Sequence, residues 1–163
     1  MDIFNEEVLK FWRYLGQNHV RYIMVGGMAV NLHGYQRVTG DMDLFLDDTP
    51  VNRKQLRKAF AEYGMGDFQS IETMQFVPGW TQFNLNNGFV LDIMTTMKGL
   101  EQYSFEDCLQ LASTADIYEV RVPFLHINHL LANKRAVNRP KDQIDVIELE
   151  RIKKLLEEDN PPN

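Results

Sequence analysis

The chain has 163 residues, 44% hydrophobic and 25% charged, with a net charge of −6. That length predicts one domain with a real core, the acidic balance leans away from a protein that coats nucleic acid while leaving room for a local basic cleft, and no apolar run approaches the roughly 20 residues of a membrane span. The lone cysteine, Cys108, excludes an internal disulfide and fits a reducing cytoplasm, and the acids Asp2, Glu6 and Glu7 do not read as a signal peptide.

Residues 3–16 predict a first helix, because Phe4, Val8, Phe11, Trp12 and Leu15 recur at helical spacing and Gly16 offers a stop. The aromatic stripe reads as core. The apolar run Tyr22–Val25 reads as a buried strand, broken by Gly26-Gly27. Residues 28–33 predict a short helix that Gly34 is placed to end. Asp41-Met42-Asp43-Leu44-Phe45-Leu46 then opens a second strand. Strand side chains alternate, so Asp41 and Asp43 share one face, about 7 Å apart, and Met42, Leu44 and Leu46 share the other. Glycines let backbone N–H groups approach phosphate oxygens, and a helix start adds partial positive charge. Paired carboxylates suit a hard divalent cation. The order of strand, glycine turn, helix and acidic strand therefore suits a metal-bound polyphosphate. Between the two halves lie His33, read as packing the helix end, and Arg37. A planar guanidinium at Arg37 matches phosphate oxygens, or it pairs with an aspartate.

Asp47 and Asp48 read as loop acids before a helix over residues 50–63, with Thr49 as cap and Pro50 as first residue. Leu56, Ala59, Phe60 and Tyr63 form its inner face. Arg53, Lys54, Arg57 and Lys58 form a basic outer face, read as solvated surface with an anionic acceptor as the alternative. Residues 67–98 predict β structure: a strand over 74–77, a turn at Pro78-Gly79, and strands over 81–85 and 89–94 joined by Asn86-Asn87-Gly88. Asp92 sits inside the last of these, where an acid is costly to bury unless it is paired or binds a metal. Ser104 caps a helix over 105–112, and 117–122 reads as one further strand closed by Pro123. The C-terminal part is helical, over about 128–137 and 141–157, with a break at Asn138-Arg139-Pro140.

The stretch YIMVGGMAVNLHGYQRVTGDMDLFL resembles the signature of the nucleotidyltransferase superfamily, whose fold is shared with DNA polymerase β. Thirteen residues separate Gly27 from Asp41, which fits the family's short helix and loop. The form is most similar to small bacterial stand-alone members, relatives of AbiEii-type toxins and of antibiotic nucleotidyltransferases. Met28 departs from the serine that many members carry after the glycine pair. Asp92 matches the family's third carboxylate. LLANKRAVNRPKDQIDVIEL resembles, more loosely, the closing motif of the AbiEii-like relatives, in which Lys134 would touch phosphate while Lys141, Asp142 and Asp145 line the pocket or hold its wall. Those residues also suit capping and dipole roles.

The resemblance implies an α/β (α+β) nucleotidyltransferase fold, a mixed twisted sheet flanked by helices with a short helical C-terminal part. It divides the chain into a core over 1–125, helices packed on it over 126–158 and a tail over 159–163. It implies a cytoplasmic, Mg²⁺-dependent enzyme, with two ions (or Mn²⁺) held by the catalytic carboxylates Asp41, Asp43 and Asp92. Gly26 and Gly27 would hold the phosphates of a nucleoside triphosphate, and Arg37, Lys134, Lys141 and Asp142 would complete the nucleotide site. The acceptor stays open between a small-molecule hydroxyl, an RNA end and a protein side chain. The alternatives are a nucleotide-binding module without turnover, and a toxin using the same chemistry and held by an antitoxin-type partner.

Overall fold

The computed structural model describes residues 5–86 and 88–161. Six strands form one mixed sheet: β1 (Tyr22–Val25), β2 (Asp41–Leu46), β3 (Gln82–Asn84), β4 (Val90–Met94), β5 (Ser113–Ile117) and β6 (Val120–Phe124), in the spatial order β3-β4-β2-β1-β6-β5. β1 pairs antiparallel with β2 and parallel with β6, β2 runs parallel to β4, and β3 and β5 are antiparallel edge strands. All of β1 is buried, as expected for a central strand covered on both faces.

The helices are α1 (Glu6–Gln17), α2 (Gly26–Leu32), α3 (Pro50–Tyr63), α4 (Phe105–Leu111), α5 (Ile127–Val137) and α6 (Pro140–Asp159), with a 3₁₀ turn over Gln69–Glu72. α1 begins where the Asn5 side chain accepts the Glu7 N–H, with Glu6 and Glu7 in the first turn. Its stripe Val8, Leu9, Phe11, Trp12 and Leu15 is buried, and Phe11 meets Phe60 and Tyr63 of α3 with ring centroids 6.0 and 5.4 Å apart. The aromatic stripe is core. The predicted start of this helix at residues 3 and 4, the middle residue of the Asn86-Asn87-Gly88 turn and the last two residues of the tail lie outside the described residues.

α3 starts and stops where its sequence says, capped by Thr49 and closed at Gly64. The two arginines of its basic outer face are spent on structure, while Lys54 and Lys58 stay exposed. Arg53 bonds Asp48 and the carbonyls of Ile71 and Met74, and Arg57 clasps Asp67 and Glu72. These arginines hold the chain that crosses from α3 to the edge of the sheet. Asp47 is likewise a loop acid, bonded to Arg21.

Two expectations for β structure fail. Residues 74–77 form no strand. Arg53 reaches the Met74 carbonyl and stacks over Phe76, 4.6 Å from the ring centroid, and Thr81 Oγ1 donates to the Gln75 carbonyl and accepts the Val77 N–H, so this segment is held by side chains and a turn rather than by a ladder. Residues 117–122 are not one strand but the middle of a hairpin, β5–β6, whose two-residue turn is Tyr118-Glu119. Both residues have φ in the left-handed region, 47° and 70°, the geometry of the mirror-image turns that suit hairpins. The usual Asn-Gly signal is absent because non-glycine residues occupy both positions.

Candidate active site

The residues that gather at one end of the sheet do so through register. Val25 of β1 pairs with Asp43 of β2, Asp43 with Asp92 of β4, and Asp92 with Gln82 of β3. Paired residues point to the same face, so Asp43 and Asp92 stand side by side on neighbouring strands, with Asp41 two residues along the same face. Gly26 follows Val25 directly. Its φ is +67°, and a Cβ there would lie 2.1 Å from Asp43 Oδ2. A side chain is thus excluded twice, by backbone conformation and by the carboxylate pressed against it. A Cβ on Gly27 would meet Thr39 Oγ1 at 2.6 Å. The glycine pair is what lets the α2 start and the acidic strand approach each other.

Asp41, Asp43 and Asp92 line a cavity of about 640 Å³ together with Gly26, Gly27, Arg37, Lys134 and Lys141. Eight of the nine residues expected from sequence therefore share one cleft. The ninth, Asp142, is fully buried behind its wall. There it accepts from Lys134 Nζ at 3.1 Å and from Arg139 Nε at 2.7 Å. Asp145, also fully buried, accepts both Arg37 Nε (2.8 Å) and Nη2 (2.9 Å) and pairs with Lys134 Nζ at 3.0 Å. Arg37 follows the salt-bridged reading: it lines the cleft with its fork given to Asp145. Asn31 fixes the loop beneath it, accepting the Arg37 N–H and donating to the Arg37 carbonyl. Lys141 makes no salt bridge among the described residues and is an exposed cation of the cleft, as are Arg139 and Lys98.

The carboxylates bear the mark of crowding. Burial, then the charges of Asp92 and Asp41, push the Asp43 carboxyl up to about 6, against the pull of Lys134 and Lys141. Burial also raises Asp92, opposed by the Gly79 N–H, which donates to its Oδ2 at 2.8 Å. The other oxygen, Asp92 Oδ1, is buried without a hydrogen-bond partner. An unpaired buried carboxylate oxygen is costly unless something else supplies positive charge. Among the described residues no three acidic, cysteine or histidine side chains form a ready-made metal cage. The fit to a divalent cation rests instead on hard oxygen donors, shared register and this unsatisfied atom.

Sequence reasoning missed several lining residues: Thr39, Gln82, Lys98, Glu101 and Arg139. Thr39 carried a signal, lying two residues before Asp41. The others come from strand pairing and loop packing, which no local pattern encodes. His33 is structural, as read. Its Nε2–H donates to the Leu125 carbonyl at 2.8 Å, its ring meets Phe124, and burial lowers its pKa.

With this geometry in place, comparison with solved structures defines the class: the chain has the nucleotidyltransferase fold. It is similar to a lincosamide antibiotic adenylyltransferase, LnuA, solved with lincomycin bound, at a TM-score of 0.60 and 17% identity over 91% of this chain and 97% of that one. It is also similar to an antigenic nucleotidyltransferase-like protein from Paracoccidioides brasiliensis, at a TM-score of 0.51 and 18% identity over 96% and 90% of the two chains. No family model and no curated protein matches the sequence. No helix among the described residues is long and apolar enough to cross a membrane.

Proposed function

We propose that the protein transfers a nucleoside monophosphate from a nucleoside triphosphate to an acceptor hydroxyl and releases pyrophosphate. The observation that carries this is the in-register row Val25–Asp43–Asp92, with Gly26 pressed on Asp43 and Asp92 Oδ1 unpartnered. Asp41, Asp43 and Asp92 are the residues to hold Mg²⁺, which when bound would offset the charge of the phosphates and of the crowded carboxylates. The backbone amides at Gly26 and Gly27 face the β- and γ-phosphates, with Lys141 and the half-exposed Arg139 as nearby cations. Arg37 and Lys134 act one step back, locked to Asp145 and Asp142, and set the shape and potential of the wall. The acceptor oxygen forms its bond to the α-phosphorus as the bond to pyrophosphate breaks. Asp92, on the side of the row away from the glycine pair, takes the hydroxyl proton.

The solved adenylyltransferase with bound lincomycin makes a small-molecule hydroxyl the acceptor this reading favours. The test is pyrophosphate release from ATP, GTP, CTP and UTP with Mg²⁺ and candidate acceptors, on wild type and on Asp92→Asn. Acceptor-dependent release that falls by about a hundredfold or more in the variant supports the proposal. Metal-dependent nucleotide binding with no release under any acceptor would leave a binding module in place of an enzyme.

A further inference from the structure

The row of paired residues does not end at Asp92. It continues to Gln82 on the edge strand β3, in register with Asp92 and lining the same cleft. The glycine pair lies at the β1 end of this row and Gln82 at the opposite end, so a triphosphate seated on Gly26 and Gly27 leaves the β3 end open to the second substrate. Just before β3 comes the turn Pro78-Gly79-Trp80, whose first two residues also line the cleft. This turn is built tightly. Trp80 N–H and Thr81 N–H both donate to the Val77 carbonyl, Thr81 Oγ1 accepts the Val77 N–H, and Gly79 N–H donates to Asp92. The side chain it presents is exposed: Trp80 is 86% accessible, whereas the other tryptophan, Trp12, is fully buried.

Charge separates the two ends of the row. Between Glu72 and Lys98 the sequence holds one charged residue, Asp92. The turn and the β3–β4 hairpin therefore carry no cation; they bring Pro78, Gly79 and Gln82 into the cleft lining, with the exposed Trp80 between Gly79 and Gln82 in the chain. The nearest arginines beneath them, Arg53 and Arg57, are committed to Asp48, Asp67 and Glu72. A nucleic-acid acceptor needs a track of cations along its phosphates; the turn and hairpin carry none, and the first cation after β4 to line the cleft is the single Lys98. An aromatic face beside an uncharged amide suits a ring that carries hydroxyls.

We propose that Trp80 and Gln82 form the acceptor subsite, with Trp80 stacking on the ring face of a small hydroxylated ring compound and Gln82 hydrogen-bonding its polar rim, so that the reacting hydroxyl lies at Asp92. The assignment rests on the nucleotidyl-transfer reading above and goes beyond it in naming the residues that select the acceptor and the ring they select. Trp80 touches the acceptor and not the donor.

The experiment has two arms on wild type, Trp80→Ala, Trp80→Phe and Gln82→Ala. The first measures donor affinity for the four nucleoside triphosphates with Mg²⁺ by calorimetry. The second measures transfer to lincomycin, to free hexoses and nucleosides, and to a single-stranded RNA oligomer. The expected result is donor affinity unchanged within about twofold in all variants. Transfer goes to at least one ring compound, with KM raised about tenfold in Trp80→Ala at nearly constant kcat and largely restored in Trp80→Phe. A tenfold loss of donor affinity in Trp80→Ala would make the residue a base platform and overturn the assignment. Transfer to RNA with every ring compound inert would also overturn it, as would an unchanged KM in both Trp80→Ala and Gln82→Ala. Failure of the underlying reading is visible separately, as absence of donor binding in wild type. Folding of each variant is checked by the emission of the buried Trp12.

Discussion

Gly26→Ala tests how the strand end and the acidic strand were brought together. The new Cβ carries two costs. At φ +67° an L-residue with a Cβ costs about 1–2 kcal/mol over glycine. The Cβ would also sit 2.1 Å from Asp43 Oδ2 and 2.9 Å from its Cγ, so the carboxylate must leave its rotamer, at about 0.5–1.5 kcal/mol. The sum is a loss of about 1.5–3.5 kcal/mol, read as a lower urea midpoint at constant m-value. Gly16 is the internal control. Nothing lies within 4 Å of a Cβ there and the residue is in α1, so Gly16→Ala stabilises by about 0.5–1 kcal/mol. A double-mutant cycle isolates the contact with the carboxylate, because in an Asp43→Ala background Oδ2 and Cγ are gone and Gly26→Ala keeps its backbone share and a 3.0 Å contact with the Cβ of residue 43. The expected coupling is about 1 kcal/mol. Equal costs in both backgrounds would refute the close approach of Gly26 and Asp43 on which the site is built.

Two further outcomes follow from the buried charges of α5 and α6. Asp145→Ala leaves Arg37 without its bidentate partner and Lys134 with one carboxylate instead of two, and a loss of about 3–5 kcal/mol in urea unfolding is expected; a loss below about 1 kcal/mol would contradict it. Asp142 gives the pH dependence. Burial alone would raise its pKa, but hydrogen bonds from Arg139 and the charge of Lys134 outweigh it and hold the carboxyl at about 2, from an ordinary value of 3.8. A depressed folded-state pKa contributes stability above the unfolded value that is lost as pH falls through the folded one. Wild type should therefore lose about 2 kcal/mol between about pH 4 and pH 2 that Asp142→Asn does not lose, measured as the difference between their unfolding curves across that range. Parallel pH profiles would count against the cluster.

Local chemistry made the first half of the site legible. The run Tyr22–Val25, the glycine break and the alternation of β2 are patterns within 25 residues, and Thr49-Pro50 and Gly64 bracket α3 because caps and breakers act on their own neighbours. What stayed hidden was pairing at a distance. That Asp92 is an odd acid in an apolar strand can be read from sequence; that it stands level with Asp43 and Gln82 cannot, because register depends on the whole sheet. The Arg37–Asp145 pair joins residues 108 positions apart, so its salt-bridged state was one of two readings until the helices were placed. The Tyr118-Glu119 turn lacks turn residues, and the 74–77 segment has strand-like residues held by side chains and a turn instead of a partner strand. The near absence of charge from 73 to 97 was open to view, but it gained meaning only when that segment proved to be one end of the cleft.

The central claim is that Gly26, Gly27 and the three aspartates bind a nucleoside triphosphate through a divalent cation. Calorimetric titration of ATP, GTP, CTP and UTP, with and without Mg²⁺, on wild type and Asp43→Ala tests it most directly. The expected result is binding of at least one nucleotide that requires Mg²⁺ and is lost in the variant. A folded wild-type sample that binds none of the four, or binds one equally well without metal and without Asp43, would contradict it.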